Sequence, residues 1–270
     1  MDECLLLVGG GKMGGALLAG WLARGGPRDR AVVIEPGPPA EALRRTHGVT
    51  VHQAPEDIDP GFRPAVVVFA VKPQAMDQAA APYDRFIGPE TVFLSIAAGK
   101  TIAYFRRRLG EGAAIVRAMP NTPAAVGRGI SVCCAGPGVS AAQKEHCTAL
   151  LGAVGEVAWV NEEALLDPVT AVSGGGPAYV FLLVECLAEA GIQAGLPHGL
   201  ARRIARATVA GSGELLRQSE EPPDVLRQNV TSPGGTTLEA LKILMAPDGL
   251  RPLMIRAIAA ATRRSRELAS

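Results

Sequence analysis

Short apolar runs alternate with helical periodicity along the first part of this 270-residue chain. Leu5-Leu6-Leu7-Val8 reads as a strand buried on both faces, followed by a helix over Met13 to Arg24. Ala31-Val32-Val33-Ile34 is a second strand, closed by the turn residues Pro36-Gly37-Pro38-Pro39. Val49 to Val51, Ala65 to Val71, Thr91 to Ser95, Ala114 to Arg117, Ile130 to Cys133 and Val157 to Val160 continue the series. Strands without polar alternation, interleaved with helices, predict a mainly parallel sheet covered on both sides, the doubly wound α/β class. After Asn161 strand signals cease. Pro177 to Ala194, Leu200 to Arg217, Thr237 to Met245 and Leu250 to Leu268 predict an all-α second domain, with the boundary near residue 160. The first of these helices is apolar on nearly every face, so it demands cover on all sides, and a second subunit is the expected source.

Composition narrows the function classes. Hydrophobic residues make up 48 %, enough for a sizeable core. With 27 basic against 26 acidic residues, the charge gives no reason to expect a nucleic-acid partner. The run Arg106-Arg107-Arg108 reads as a solvated helix face. Five cysteines form no C-x-x-C pair and four histidines have no metal-binding spacing, so no metal site is expected. His146 and Cys147 are neighbours on a helix and do not face each other. Free thiols, an acidic N-terminus and no stretch near the roughly 18 apolar residues of a membrane span predict a cytoplasmic protein with no membrane partner.

Gly9-Gly10-Gly11-Lys12-Met13-Gly14 satisfies G-x-G-x-x-G between a predicted strand and a predicted helix, the context that a dinucleotide site needs. Gly9 allows the tight turn, Gly11 lets backbone approach a pyrophosphate, and Gly14 lets helix pack on strand. Glu35 ends the second strand, where an acidic side chain bonds the ribose 2′-OH of NADH and repels a 2′-phosphate, unless it points into solvent. Ligands bind at the C-terminal ends of strands in such sheets. Three loops lie there: Val71-Lys72-Pro73, Ser95-Ile96-Ala97-Ala98-Gly99 and Met119-Pro120-Asn121-Thr122-Pro123. Each alone is explained as a turn; their shared edge makes Lys72, Ala97, Ala98, Asn121 and Thr122 candidate ligands. Ser173-Gly174-Gly175-Gly176-Pro177 reads equally as a helix cap and as a close approach to a ligand. Asn229-Val-Thr-Ser-Pro-Gly-Gly-Thr-Thr237 sets hydroxyls and bare amides before a helix, a place for a small anion.

These motifs, with Ala70-Val71-Lys72-Pro73 and Ser173 to Tyr179, resemble the pyrroline-5-carboxylate reductase family along the whole chain. The segment from Asn229 to Thr237 is the most specific match. The resemblance implies a Rossmann-like domain, a helical domain that forms homodimers, often gathered into decamers, and NADPH or NADH as cofactor. It places Gly9, Gly11, Lys12, Met13, Glu35, Ala70, Lys72, Pro73, Ala97, Ala98, Asn121 and Asn229 at the cofactor. Ser232, Gly234, Gly235, Thr236 and Thr237 would hold a cyclic imino acid, with Glu163 and Glu220 as weaker candidates. Thr237 would be the catalytic residue, near the ring nitrogen. Glu35 stands where many members carry a small polar residue, a departure that bears on the choice of NADPH.

The implied reaction needs little machinery, because a protonated imine is already electrophilic; orientation and electrostatics suffice. Three other readings are weaker, one of them a purely structural dimer that binds no dinucleotide. β-Hydroxyacid dehydrogenases need a catalytic lysine in the helical domain, and Lys242, beyond the loop, is the only lysine after residue 144. A protein that binds a dinucleotide without turnover would not need the Asn229–Thr237 segment.

Overall fold

The computed structural model describes residues 3–269. Its first half carries an eight-stranded sheet in the order β3-β2-β1-β4-β5-β6-β7-β8. The strands are β1 (Leu5–Val8), β2 (Ala31–Ile34), β3 (Thr50–His52), β4 (Val66–Phe69), β5 (Val92–Ser95), β6 (Ile115–Met119), β7 (Gly129–Ala135) and β8 (Gly155–Val160). The first six pair in parallel; β7 runs antiparallel to β6, and β8 is parallel to β7. The order reverses at β1, whose neighbours are β2 and β4, so a crevice opens at their C-terminal ends. This is the expected Rossmann-like, mainly parallel sheet.

Helices cover both faces: α1 (Lys12–Ala23), α2 (Pro39–His47), α3 (Met76–Ala79), α4 (Ile102–Leu109) and α5 (Ala141–Gly152). One core layer joins Leu5, Leu7, Val33 and Val68 to Leu17, Leu18 and Trp21 of α1 and Leu150 and Leu151 of α5. The opposite layer joins Leu6, Val8 and Val67 to an aromatic group of Phe69, Tyr83, Phe93 and Phe105. Alternate residues of each strand enter alternate layers, which is why four-residue strands read as unbroken apolar runs. Caps set the helix ends. The Thr101 hydroxyl accepts from the Tyr104 amide at 3.1 Å to start α4, and Ser140 with Gln143 forms a capping box on α5. Pro38 and Pro39, read from sequence only as part of a turn, in fact open α2, because proline suits a first helical turn.

Two compact units emerge: one reaches to Gly174 and includes the chain from Ala261 onward, the other spans Gly175 to Ala260. The division therefore differs from the boundary expected near residue 160. The cause is packing. After β8 the chain returns over the sheet through α6 (Leu166–Val169) and a π turn (Thr170–Gly174), burying Leu166 in the aromatic layer. The Ser265 hydroxyl donates to Asp167 Oδ1 at 2.7 Å, which ties the end of the last helix to the same unit.

The second unit contains α7 (Gly176–Gln193), α8 (His198–Gln218), α9 (Pro223–Asn229), α10 (Thr236–Leu244) and the first part of α11 (Leu250–Ala269). Within the single chain α7 is not enclosed. Phe181 is 63 % exposed and Leu182 56 %, and Val180, Leu183 and Leu187 are open as well, while Ala188 is buried. One expectation needs correction here. The continuous helical run over residues 163–193 is long and apolar enough, by length and composition, to cross a membrane, with a mean hydropathy of 1.5 over its most apolar 18-residue stretch. Gly174, Gly175, Gly176 and two prolines interrupt the apolar residues in sequence, yet the backbone stays helical through them.

Candidate functional site

The glycine loop forms where β1 meets α1. Gly9 has φ +98°, and a Cβ there would lie 2.9 Å from the Ala70 carbonyl at the end of β4. A Cβ on Gly14 would stand 2.2 Å from the Gly9 oxygen, so only glycine lets α1 start this close. Around Gly11 there is open space, with nothing within 4 Å of the equivalent position. The amides of Gly11, Lys12 and Met13 have no acceptor among the described residues, as expected at a helix start. Open amides, the positive end of α1 and a space free of side chains suit a pyrophosphate. A dinucleotide therefore fits the residues present.

Glu35 does not point into solvent. Its Oε2 accepts from the Gly10 amide at 2.7 Å and its Oε1 from the Gly37 amide at 2.8 Å. The carboxylate thus stands beside the glycine loop at the end of β2. Leu43 of α2 packs on the same spot, its Cδ1 2.3 Å from where a Gly10 Cβ would be.

Along the rest of the edge, Ala70 follows β4, Lys72 is exposed without an ion-pair partner among the described residues, and Pro73 begins a short 3-10 turn. After β5, Ala97 is buried and Ala98 half-buried, and the Ala97 amide donates to the Ser95 hydroxyl at 3.3 Å. Gly99 has φ +76°, and a side chain there would strike the backbone of Leu268. Beside this loop, Asp77 accepts from the Tyr104 hydroxyl and pairs with Arg108 at 2.9 Å. The Tyr104 bond, helped by Lys100 and Arg108, holds Asp77 below the ordinary carboxylate range. Burial, and then Asp77 itself, push Tyr104 up to about 12.

Two expected ligands have structural engagements. The Asn121 carboxamide oxygen accepts from the Ile130 amide at 2.9 Å, pinning the loop after β6 to β7. Glu163 Oε1 accepts from Arg117 Nη1 and from the Ile102 amide, each at 2.7 Å. Arg117 is buried on β6, so Glu163 neutralises a buried cation and also caps α4. The Glu163 engagements are not visible locally, because the partners lie 46 and 61 positions apart.

Ser173 is a candidate that the sequence left ambiguous. It lies in the π turn, a geometry frequent at functional sites, and its buried hydroxyl has no partner among the described residues. The next residue, Gly174, rests on β6: a Cβ there would be 2.6 Å from Met119 Cε. The sequence signal was a serine ahead of three glycines, which capping alone also explained.

In the helical unit, Ser232-Pro233-Gly234-Gly235 forms a tight turn. Gly234 has φ +70°, and the Gly235 amide donates to the Ser232 carbonyl at 3.0 Å. Proline second and a positive-φ glycine third are the type II pattern. Gly235 then caps α10. The amides of Gly234, Thr236 and Thr237 have no acceptor among the described residues. That corrects one detail, since the Gly235 amide closes the turn and is not available to a ligand. Ser232, Thr236 and Thr237 are exposed, as is Glu220. Asn229, at the end of α9, donates to Glu221 Oε2 at 3.1 Å. The predicted residues thus fall into two groups, one on each unit. Among the described residues no cluster of histidine, cysteine, aspartate or glutamate is arranged to hold a metal.

The fold and the glycine loop define a Rossmann-type dinucleotide-binding protein with an appended helical unit. Comparison with known proteins narrows that class. Residues 163–268 match the family profile described as pyrroline-5-carboxylate reductase dimerisation, and residues 5–99 the one described as NADP oxidoreductase, coenzyme F420-dependent. A pyrroline-5-carboxylate reductase of Pseudomonas aeruginosa is 40 % identical, covering 98 % of this chain and 96 % of its own. A solved pyrroline-5-carboxylate reductase from Coxiella burnetii is 34 % identical with a TM-score of 0.93, covering 100 % of both chains. One from Plasmodium falciparum, solved with NADP bound, is 27 % identical with a TM-score of 0.83, covering 100 % of this chain and 99 % of that one. The chain belongs to the pyrroline-5-carboxylate reductase family.

Proposed function

We propose that this protein reduces Δ1-pyrroline-5-carboxylate to L-proline, the last step of proline biosynthesis, with NADPH or NADH as reductant. The observation that carries the reading is the type II turn at the start of α10, with three amides and the Thr237 hydroxyl open to a small anion. Gly234, Thr236 and Thr237 amides grip the substrate carboxylate, helped by the positive end of α10. Ser232 contributes a hydroxyl at the rim. Thr237 orients the ring and hydrogen-bonds its nitrogen. The reduced nicotinamide, when bound, supplies the hydride to the imine carbon. The glycine loop holds the pyrophosphate on the amides of Gly11, Lys12 and Met13, and Ala70, Lys72, Pro73, Ala97 and Ala98 line the same cofactor. Glu163 and Asn121 act through the loops they hold, Asn229 contributes to the cofactor site, Glu220 is a weaker substrate candidate, and Ser173 offers an unpartnered hydroxyl.

The protein acts as a homodimer through its helical unit, in keeping with the dimerisation profile and the bare apolar face of α7. The resemblance extends this to decamers. Cover of α7 by a second copy, rather than by lipid, fits a cytoplasmic enzyme without membrane or nucleic-acid partners. Its free thiols, among them Cys133, which burial pushes up to about 12, fit the same compartment. The test is direct. Purified protein, given pyrroline-5-carboxylate and a reduced nicotinamide, should consume both and form proline in equal amount. Cofactor binding without proline formation would leave a dinucleotide-binding protein of another function.

A further inference from the structure

We infer that Glu35 makes this chain selective for NADH over NADPH, an inference that rests on the nicotinamide-dependent reading above. Three observations carry it. First, the carboxylate is fixed: one oxygen holds the Gly10 amide and the other the Gly37 amide. Swinging it aside would leave two backbone donors unpaired. Second, each carboxylate oxygen accepts more than one hydrogen bond, so after binding one amide each can still receive a ribose hydroxyl. The group in place is thus an acceptor for the 2′-OH of an unphosphorylated ribose. A 2′-phosphate offers only negative oxygens and meets a fixed negative charge.

Third, the cations that follow β2 are engaged or turned away. Arg44 donates to the Val51 carbonyl at 2.7 Å and lies 3.7 Å from Glu41. Arg45 is exposed, two positions along α2 from the buried Leu43 and so on the opposite side of that helix. Among the described residues that follow β2, Arg44 is thus tied to the Val51 carbonyl and Arg45 lies on the far side of α2, which leaves Glu35 and its two amides at this strand end. Selection acts at the adenosine ribose, far from the nicotinamide, so it is read in binding as well as in turnover.

The experiment is calorimetric titration of the full-length protein with NADH and NADPH, repeated with ADP-ribose and its 2′-phosphate. NADH should bind at least ~10-fold more tightly than NADPH, about 1.4 kcal/mol, and the fragments should show the same ratio. In Glu35→Gln, which keeps one acceptor oxygen and removes the charge, the ratio should shrink to about threefold or less. Should that variant not fold, the wild-type ratio still decides, and raising the salt should narrow it, since salt screens the repulsion. Equal or tighter binding of NADPH by the wild type overturns the inference, as does a ratio unmoved in folded Glu35→Gln. Failure of both dinucleotides to bind would instead overturn the nicotinamide-dependent reading itself.

Discussion

In the sheet-bearing unit Leu6, Val33, Val67 and Leu94 are completely enclosed by elements of their own chain. In the helical unit Phe181, Leu182 and Leu183, no less apolar, lie about half open. Both segments were equally hydrophobic in sequence, so hydrophobicity alone does not tell which element its own chain will cover. The difference lies in geometry. A strand in a parallel sheet receives a helix on each face through its own crossover connections, whereas a helix apolar all round needs more neighbours than a few following helices supply. The sheet unit completes its core alone; the helical unit does not.

The strongest attack on that contrast is Phe181→Asp. Each large apolar side chain buried contributes about 1.5–3 kcal/mol, and a buried unpaired carboxylate costs more. The variant should run as a monomer in sedimentation velocity and lose proline formation, while the sheet unit keeps binding the dinucleotide. A dimer of undiminished activity would show that α7 does not form the interface. The reciprocal change is Gly14→Val. With its Cβ placed 2.2 Å from the Gly9 oxygen, the loop must distort, and NADH affinity should fall by roughly 100-fold while the dimer persists. Loss of the dimer as well would mean that the two units do not fold independently.

Glu163→Ala sharpens the contrast within the sheet unit. Removing the partner of buried Arg117 should cost about 3 kcal/mol in chemical denaturation, with KM for the imino acid little changed in protein that remains folded. A raised KM at unchanged stability would instead make Glu163 a substrate ligand. Smallest in effect is Thr237→Ala. Its turnover should drop ~10-fold, about 1.4 kcal/mol, with NADH affinity unaltered and stability within about 0.5 kcal/mol, since the side chain is exposed. Unaltered turnover would remove Thr237 from the chemistry.

Sequence legibility followed the range of the interactions involved. The β1 and β4 runs and the Gly9–Gly14 loop depend on neighbours in the chain and on repeating patterns, so they could be read directly. The turn at Pro233-Gly234 has a residue-level signature of the same local kind, a positive-φ glycine after proline. The α2 start was hidden by Pro38-Pro39, which suits a turn and a helix start alike. What escaped most completely was the use of side chains over distance: Glu163 on Arg117, Asn121 on Ile130, and Glu35 on Gly10, 25 positions away. A carboxylate or amide that ties two loops together looks in sequence like one that awaits a ligand.

The Glu35 bridge also bears on how such an enzyme changes over generations. The side chain inferred to discriminate between cofactors also fastens the glycine loop to the loop after β2. A lineage moving toward the phosphorylated cofactor cannot simply exchange it for a small residue, because the Gly10 and Gly37 amides would lose their acceptors. A permissive substitution that supplies another acceptor must come first or arrive together with the exchange. On that inference cofactor preference is an epistatic trait, and grafting a phosphate-binding residue at position 35 alone should yield a poorer enzyme with either nucleotide.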